Sequence, residues 1–497
     1  MTRRRMLCLE SLESRHLLAP LNVPVNDPAR DTAYGFTQYD PAVTVTAGGQ
    51  VLVAYSDSST GTLSGVRLQT ALGVSSDQGQ TVLDRGVFTN DAYWSDHPSV
   101  AADRVSGRTY IAVESREHAG LLVYRSDDNG QTLLAPVGAT AANSYLVDPQ
   151  IAVDNTTGSG QGTVYLLGRY EGGTNDPDKG GLYLVRSTDG GDTWSTPQQL
   201  VFDALASGGR IVIGPDHSVS VFWLHSVANP HRNHGPNTLY MRRSVDFGAT
   251  FGPRTTVALQ HGTAVHGPVS TFYTNGHVQV AVNPVNGDLY GVFYDNPDGD
   301  DKADIMFVMS SDQGSTWTAP RRANDDDGLA LQFKPTIAVA PDGKHLLVAF
   351  RDTRMHEATQ LASSFGSLGT ISGHTVTFHP NFRISSVATP IRLPNDLEDH
   401  NNYFGIELGD ADSATADADN FYYAWSDRRN TLATDPRKHQ SDVFLARIST
   451  RGPAGPYVVD QSPAGLYVDG NIASVTVEFA WPMDRASFNV ADDVFSF

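Results

Sequence analysis

One eight-residue pattern occurs five times in this chain, and its repetition constrains the fold more than any other feature. Each copy is Ser-x-Asp-x-Gly-x-Thr followed by an apolar or aromatic residue. The copies begin at Ser75, Ser126, Ser187, Ser244 and Ser310, so successive copies lie 51 to 66 residues apart. A repeat of this length matches a four-stranded sheet with loops of variable length, which is the building unit of a β-propeller.

The repeat has the composition of a tight turn between two strands. Its glycine can adopt a positive φ without steric cost, and the aspartate two residues earlier can accept hydrogen bonds from backbone amides of the turn. We therefore predict a structural rather than a ligand-binding role for the five aspartates of the pattern: Asp77, Asp128, Asp189, Asp246 and Asp312.

The five turns resemble the Asp-box (BNR) repeats of the sialidase superfamily, and the resemblance covers most of residues 37–450. It implies an all-β propeller whose boxes lie away from the active site. Apolar strands, and strand starts in which a polar residue precedes proline, recur along the chain. They divide it into units near 37–90, 91–140, 141–204, 205–262, 263–325, 326–396 and 397–450. The last two units keep the strands but lack the box, so we predict six or seven blades, with seven favoured.

The last unit lacks an obvious outer strand. Residues near Leu21–Asp31 are predicted to supply this strand and close the ring, which would remove an exposed sheet edge. The propeller is therefore assigned to residues 21–450.

The two ends of the chain differ from the repeats. Residues 1–20 form a leader-like tail, in which Leu9–Ala19 resembles the LExLExRxLLA leader of large surface or secreted proteins of aquatic budding bacteria. The resemblance implies a secreted or cell-surface protein, and the alternative is an ordinary charged amphipathic tail. Residues 451–456 are predicted to be a linker. Within residues 457–497, Phe479–Ser487 is similar to a segment of bacterial Ig-like domains, which implies a partial Ig-like β-sandwich.

The charge balance limits the classes of partner. The chain carries 35 Lys and Arg against 55 Asp and Glu, a net charge of −20, which disfavours nucleic acid and anionic membranes. A single cysteine, Cys8, excludes an internal disulfide. The apolar runs are far shorter than the roughly 20 residues of a membrane helix. We expect a monomer whose partner is a glycan or an extracellular protein.

Propeller topology predicts where a ligand would bind. The loops after the second strands and the starts of the inner strands share one face, opposite the five turns. The ligand-binding candidates on that face are Asp57, Asp96, Arg116, Arg169, Glu171, Asp295, Arg351, Asp352, Asp427 and Arg428. The starts of the inner strands add Asp40, His97, Asp148, Arg210, His277 and Lys334. Arginine suits a carboxylate such as that of sialic acid. The alternative is that these side chains pair with each other and stabilise the ring.

The resemblance to catalytic sialidases does not extend to a complete set of catalytic residues. The family has an Arg-Ile-Pro motif in its first blade, where this chain has Thr37–Pro41. Tyr403 lies where the family's tyrosine nucleophile is expected, although a structural tyrosine at a strand start is the alternative. We predict a propeller that binds glycans or protein partners without sialidase catalysis. The alternatives are an exo-sialidase-type glycoside hydrolase and a structural module of a longer adhesin.

Two acidic loops, Asp295–Asp304 and Asp410–Asp419, have the carboxylate density that calcium favours. The candidate metal ligands are Asp298, Asp300, Asp410 and Asp412. Neither loop has EF-hand spacing, and the alternative is a pair of solvated acidic loops. No other cofactor is predicted.

Overall fold

Strands are almost the only regular secondary structure in the described part of the chain. The computed structural model describes residues 20–32, 35–61, 67–90, 94–171, 180–226, 237–261, 278–296, 303–356, 361–391, 409–432, 435–452, 458–462 and 476–479. Apart from a 3-10 turn at Pro28–Arg30, these residues contain no helix, and so none that is long and apolar enough to cross a membrane.

Seven antiparallel sheets follow one another along the chain as the blades of a propeller. Blade 1 contains β2 (Gln38–Val45), β3 (Val51–Asp57), β4 (Gln69–Ser75) and β5 (Leu83–Val87); blade 2 contains β6 (Ser95–Ala102), β7 (Thr109–Ser115), β8 (Gly120–Ser126) and β9 (Val137–Gly138). Blade 3 contains β10 (Leu146–Val153), β11 (Val164–Tyr170), β12 (Gly181–Ser187) and β13 (Gln198–Phe202); blade 4 contains β14 (Ala206–Ile213), β15 (Val219–Ser226), β16 (Asn237–Ser244) and β17 (Thr255–Gln260).

The remaining blades are less regular. Blade 5 contains β18 (Gln279–Val282), β19 (Leu289–Asp295), β20 (Asp304–Ser310) and β21 (Arg321–Arg322). Blade 6 contains β22 (Gln332–Val339), β23 (His345–Asp352), β24 (Leu361–Ser372) and β25 (Thr375–Phe378), and two short strands at Phe382–Arg383 and Thr389–Pro390 also pair with β24. Blade 7 contains Ser413–Ala416, Asn420–Asp427, Asp442–Ser449 and, as its outer strand, β1 (Asn22–Pro24). The prediction of seven blades is confirmed.

Two short hairpins lie outside the blades. One joins Thr431–Leu432 to Asp435–His439, and the other joins Val458–Ser462 to Thr476–Phe479. Most of residues 457–497 lies outside the described part of the chain, so the Ig-like segment stays a prediction, as does the leader-like tail.

Ring closure depends on the N-terminal strand, as the sequence predicts. Asn22, Val23 and Pro24 pair with Ala446, Leu445 and Phe444, and the Val25 amide donates to the carbonyl of Val443 at 2.8 Å. A proline is tolerated in this strand because the strand is outermost in its sheet. The chain thereby covers the edge of blade 7 with residues more than 400 positions earlier in the sequence.

The core lies between blades. The second strand of each blade is buried on both sides, which explains its continuous apolar sequence, as in β3 (VLVAYSD). Leu52 and Ala54 of β3 pack with Ile111 and Val113 of β7, and similar apolar clusters join other neighbouring blades. Each blade is therefore stabilised mainly by its two neighbours.

The five Ser-x-Asp-x-Gly-x-Thr turns share one hydrogen-bond pattern. In the third copy the Ser187 hydroxyl donates to Asp189 and accepts from the Gly191 amide at 2.8 Å, while the amide of Thr193 donates to Asp189 at 2.9 Å. The other four copies repeat these bonds. Each turn has two consecutive residues at positive φ, such as Gly190 and Gly191, as expected for a type I′ turn.

These turns also join neighbouring blades. A Cβ added to Gly191 would lie 3.1 Å from the Tyr110 ring of the preceding blade, and one added to Gly248 would lie 3.1 Å from the Tyr165 ring. The glycine is thus required for its positive φ and for this close approach.

Strand direction defines the two faces of the ring. Because the strands of each blade are antiparallel, the inner strands begin and the second strands end on one face, here called the mouth face. The five turns follow the third strands and lie on the opposite face, here called the turn face. All five aspartates of the repeat therefore lie on the turn face, opposite the mouth.

The first prediction concerns acid stability. The Thr193 hydroxyl and amide, together with Ser187, hold the pKa of Asp189 at about 2, below the unfolded value of about 3.9. A carboxylate with a lowered folded pKa stabilises the protein above its unfolded pKa, and this contribution is lost as the pH falls through the folded pKa. We expect the melting temperature of wild type to fall steeply between about pH 4 and pH 2, and Asp189→Asn to reduce that dependence.

The matched control for acid stability is Asp327→Asn, at an exposed aspartate outside the repeat. It should leave the melting curve and its pH dependence close to wild type. An Asp189→Asn protein with an unchanged acid profile in differential scanning calorimetry would contradict the prediction.

A second prediction tests ring closure. Val25 is 1% exposed and packs with Val43, Tyr55 and Leu445, so Val25→Ala should lower the free energy of unfolding by roughly 1–3 kcal/mol through the cavity it leaves. Leu21 is 64% exposed, and Leu21→Ala should change it by less than about 0.5 kcal/mol. Chemical denaturation measures both, and equal effects would argue against closure by this segment.

Candidate functional site

The inner strands carry a shared distortion near the mouth face. In blades 1, 2, 3, 4 and 6 the register between the first and second strands shifts, as in a β-bulge. Four of these bulges place a residue before proline at positive φ: Asp40 (48°), His97 (48°), Asp148 (53°) and Lys334 (50°). Such a conformation costs about 1–3 kcal/mol in a residue other than glycine, and a bulge redirects its side chain. The same backbone feature thus brings charged side chains from several blades to one place.

A cavity of about 390 Å³ occupies the centre of the ring. The inner strands form its wall, and its polar lining at the mouth end includes Asp40, His97, Asp148, Arg210, Gln279 and Asp410. A volume in this range matches small-ligand pockets in proteins.

His97 lies at the centre of a ring of carboxylates. Its Nε2 is 3.6 Å from Asp40 and 3.7 Å from Asp410, and its Nδ1 is 3.6 Å from Glu114 and 3.9 Å from Asp96. Burial lowers the pKa of His97, but the carboxylates, Asp96 foremost, outweigh burial and raise that pKa well above its usual value.

Asp40 connects the first blade to the last. One of its carboxylate oxygens accepts from the amide of Asp410, and from the amide of Ala411 at 3.1 Å. Gly409 makes this approach possible, because it has φ 73° and an added Cβ would lie 2.3 Å from the same oxygen. Burial and the nearby Asp410 raise the pKa of Asp40, while His97 opposes the change.

A buried polar network lies beside the cavity. The Arg351 guanidinium donates to Asp412 at 2.8 Å and to the carbonyl of Ser426, and the hydroxyl of Tyr423 donates to the same Asp412 oxygen at 2.6 Å. Burial and Asp412 raise the pKa of Tyr423 well above its usual value. Arg351 and Tyr423 are therefore held in structural contacts.

Arg210 differs from the other arginines near the mouth. Its guanidinium donates to the side chain of Gln279 at 3.2 Å and to the carbonyl of Gly209 at 2.8 Å, and both partners are neutral. Burial lowers the pKa of Arg210 to about 10. Among the described residues no carboxylate forms an ion pair with it, so its charge is available to a ligand in the cavity.

Three of the sequence candidates form a chain of ion pairs at the rim. Arg169 binds Asp148 at 2.7 Å and Glu171 at 3.4 Å, while Arg116 binds Glu171 at 3.2 Å and lies over the ring of Trp94. This arrangement agrees with the alternative that arginines and carboxylates of neighbouring blades pair with each other.

Four other candidates occupy the same position, the last residue of a second strand. They are Asp57, Asp295, Asp352 and Asp427, all buried, and none is in the cavity wall. Asp57 accepts from the Ser59 amide at 2.6 Å, and Asp352 accepts from the Arg354 amide at 2.6 Å, so each closes the loop that follows its strand. Burial raises the pKa of Asp352 to about 6, although Arg354 opposes the change.

The remaining candidates have separate locations. Asp96 accepts from the Tyr39 hydroxyl at 3.2 Å and orients the His97 backbone, while Arg428 is buried and donates to the carbonyl of Ile391 at 3.1 Å. Tyr403, His277, Asp298 and Asp300 lie outside the described residues. Asp410 and Asp412, predicted as a pair in one acidic loop, contact different partners.

The sequence predicted that the inner strands begin on the mouth face, but it did not indicate which of their side chains line the cavity. The sequence feature that accompanies the cavity is a charged or polar residue directly before proline in four inner strands. Gln279 and the central position of Asp410 had no such signal, because neither belongs to a repeated motif.

The fold and the cavity together define a seven-bladed β-propeller with a charged central pocket. No protein-family model matches the chain, and no curated protein sequence matches it. Solved structures with a similar fold include a protein of unknown function from Dyadobacter fermentans, with 13% identity, 86% of this chain and 98% of that chain covered, and a TM-score of 0.45.

Two carbohydrate-active proteins are also among the similar structures. A Hadza microbial sialidase has 16% identity, covers 86% of this chain and 68% of its own, and gives a TM-score of 0.43. An α-L-arabinofuranosidase from Fusarium graminearum has 14% identity, covers 67% and 93%, and gives a TM-score of 0.43. Likeness at this level concerns the fold alone and assigns no activity.

A third prediction tests the contact between the first and last blades. Gly409→Ala introduces both a strained φ and a clash with Asp40, whereas Gly373→Ala introduces only the strain, since φ is 58° and nothing lies within 4 Å. Strain alone should cost about 1–2 kcal/mol. We expect Gly409→Ala to lower the free energy of unfolding, measured by denaturant titration, by clearly more than Gly373→Ala. Equal losses would contradict the close approach of Asp40 to Gly409.

Proposed function

We propose that this propeller binds the end of an acidic glycan in its central cavity and does not cleave it. The observation that carries the proposal is the convergence of polar side chains from several inner strands on one cavity of about 390 Å³. A pocket of this size holds about one sugar unit, with hydrogen-bond donors and acceptors at its wall.

Arg210 supplies the preference for an acidic sugar. It faces the cavity without a carboxylate partner among the described residues, so a ligand carboxylate can take that place. Asp148, Gln279 and Asp40 present oxygen atoms that can accept from sugar hydroxyl groups. The net charge of −20 disfavours long polyanions, which is consistent with recognition of a chain end.

The contacts of the described groups support binding without sialidase catalysis. An arginine that holds a substrate carboxylate must be free of other carboxylates, yet Arg351 binds Asp412 and Arg169 binds Asp148. The Tyr423 hydroxyl is committed to Asp412 in a fully buried position, so it is not available as a nucleophile. An incomplete catalytic set typically loses several orders of magnitude in rate.

One observation favours a glycoside hydrolase as the second candidate. Asp40 borders the cavity, and burial raises its pKa, which is the property required of a general acid. This candidate needs a second carboxylate as nucleophile or base. Asp148 also borders the cavity and is the candidate for that role.

The fourth prediction tests binding on a panel of immobilised sialylated, uronic-acid-containing and neutral glycans. Wild type should bind acidic glycans selectively, and Arg210→Gln should weaken that binding roughly tenfold to a hundredfold, because a hydrogen bond to a charged group contributes about 1.5–3 kcal/mol. Arg243→Gln is the matched control, since Arg243 contacts Asp216 on the turn face. Binding that is absent in wild type, or equally weakened by both variants, would refute the proposal.

Fluorogenic sialosides and other aryl glycosides test the catalytic question with the same protein. We expect no turnover above the buffer rate. Turnover that disappears in Asp40→Asn would establish the second candidate, and turnover that disappears in Tyr403→Phe would establish a sialidase.

We further propose that the chain acts outside the cell, on the basis of the leader-like segment Leu9–Ala19. The single cysteine is compatible with an oxidising compartment, because no disulfide is needed for folding. Fractionation of cells that express the full chain would test this location, and an exclusively cytosolic product would oppose it.

A further inference from the structure

We infer that Asp40, His97 and Asp410 form a site for a divalent transition-metal ion at the mouth of the cavity. The ligands would be His97 Nε2 and one carboxylate oxygen from each aspartate, and these three atoms lie within 4.8 Å of one another. The inference goes beyond the proposed function, because a metal can occupy this cluster whether or not a glycan binds.

The separations between these atoms suit one central ion. His97 Nε2 is 3.6 Å from Asp40 Oδ2 and 3.7 Å from Asp410 Oδ2. Two ligands that are each ~2.1 Å from a zinc ion and subtend an angle of about 120° would be roughly 3.6 Å apart. Both distances from the imidazole therefore match the separation of two ligands on one ion, and the two carboxylate oxygens lie within 4.8 Å of each other.

Asp40 provides an independent indication of a missing partner. This residue is 7% exposed, and its Oδ2 makes no hydrogen bond, whereas Oδ1 accepts from two backbone amides. A buried carboxylate oxygen without a partner is costly. Oδ2 points towards His97 but stays beyond hydrogen-bond distance, at the spacing that an ion between the two atoms would require.

The opposite side of the imidazole has the groups that usually support a metal-bound histidine. Its Nδ1 lies 3.6 Å from Glu114 and 3.9 Å from Asp96, both buried behind the cavity wall. When Nε2 binds a metal, Nδ1 carries the proton, and a nearby carboxylate that accepts it fixes the ring and strengthens the ligand. A movement of a few tenths of an ångström would form that hydrogen bond to Glu114.

The donor set selects the class of metal. One imidazole with two carboxylates suits zinc or manganese, whereas calcium prefers six to eight oxygen ligands. Three protein ligands leave a further coordination position, and all three residues border the cavity, so that position is open to water or to a ligand.

The competing interpretation is an ion-pair cluster in which protonated His97 neutralises the surrounding carboxylates. Such a cluster would be expected to close into hydrogen bonds near 2.8 Å. The four contacts of His97 range instead from 3.6 to 3.9 Å, and its Nδ1 has no hydrogen-bond partner.

The fifth prediction is tested with the full chain, freed of metal by a chelator and titrated with Zn²⁺ alone by isothermal titration calorimetry. We expect one zinc ion per chain and a rise in melting temperature on binding. His97→Asn, which retains a side chain suited to positive φ, and Asp410→Asn should each weaken zinc binding by about 100-fold or more. Glu114→Gln should weaken it by about tenfold, as expected for a residue that positions a ligand.

The matched control is His374→Gln, because His374 pairs with Asp288 at 2.8 Å and no third metal-binding side chain joins them among the described residues. Its zinc affinity should equal that of wild type. Visible absorption of the Co²⁺-substituted protein gives a readout of coordination that does not depend on stability, and it should be lost in His97→Asn.

Three results would overturn the inference. Wild type could fail to bind one zinc ion, or His97→Asn could bind zinc with the same affinity as wild type. Zinc affinity could instead depend on Asp148 and not on Asp410, which would place the ion on the Nδ1 side of the ring. Finally, tighter binding of Ca²⁺ than of Zn²⁺ would exclude a transition-metal site. None of these results depends on glycan binding, so the two proposals fail separately.

Discussion

The antiparallel pairing of Asn22–Pro24 with Phe444–Ala446 is the interaction on which the rest of the structure depends. A propeller blade is covered only by its neighbours, so an open ring would expose both the sheet edge of blade 7 and the apolar side of blade 1. Val25 lies buried between these two blades, beside Val43 and Leu445. Closure of the ring by the N-terminal strand therefore completes the apolar core between the last blade and the first.

Closure of the ring also brings together the residues at the mouth of the cavity. Asp40 belongs to the first blade and Asp410 to the loop that leads into the last, yet the backbone amide of Asp410 donates to Asp40. The two segments can meet only when the ring is shut. The left-handed φ of Asp40 and His97 is maintained because the inner strands are paired with the second strands on both sides of each bulge.

The charged residues of the mouth face divide into two groups by their contacts. The first group is held in contacts that stabilise the ring. Asp57 and Asp352 accept hydrogen bonds from the loops that follow their strands, and Arg169 pairs with Asp148. Arg210 and the cluster around His97 retain unused bonding capacity that faces the cavity. The proposed ligand and metal sites therefore rest on polar atoms that keep bonding capacity after the ring has formed, and residue type alone does not reveal which atoms these are.

The sequence by itself determined the turns, the strands and the faces. Glycine and aspartate at fixed spacing encode a tight turn locally, and repeated apolar strands encode buried blades, so seven blades and the position of Asp189 were predictable. The closing strand was predictable too, because the last unit lacked a partner. Only the tertiary structure decided which charges meet, because His97, Asp40 and Asp410 come from different blades and their distances depend on bulges and ring closure. A linear pattern fixes which residues share a face, whereas the separation between side chains more than 300 positions apart is set by packing.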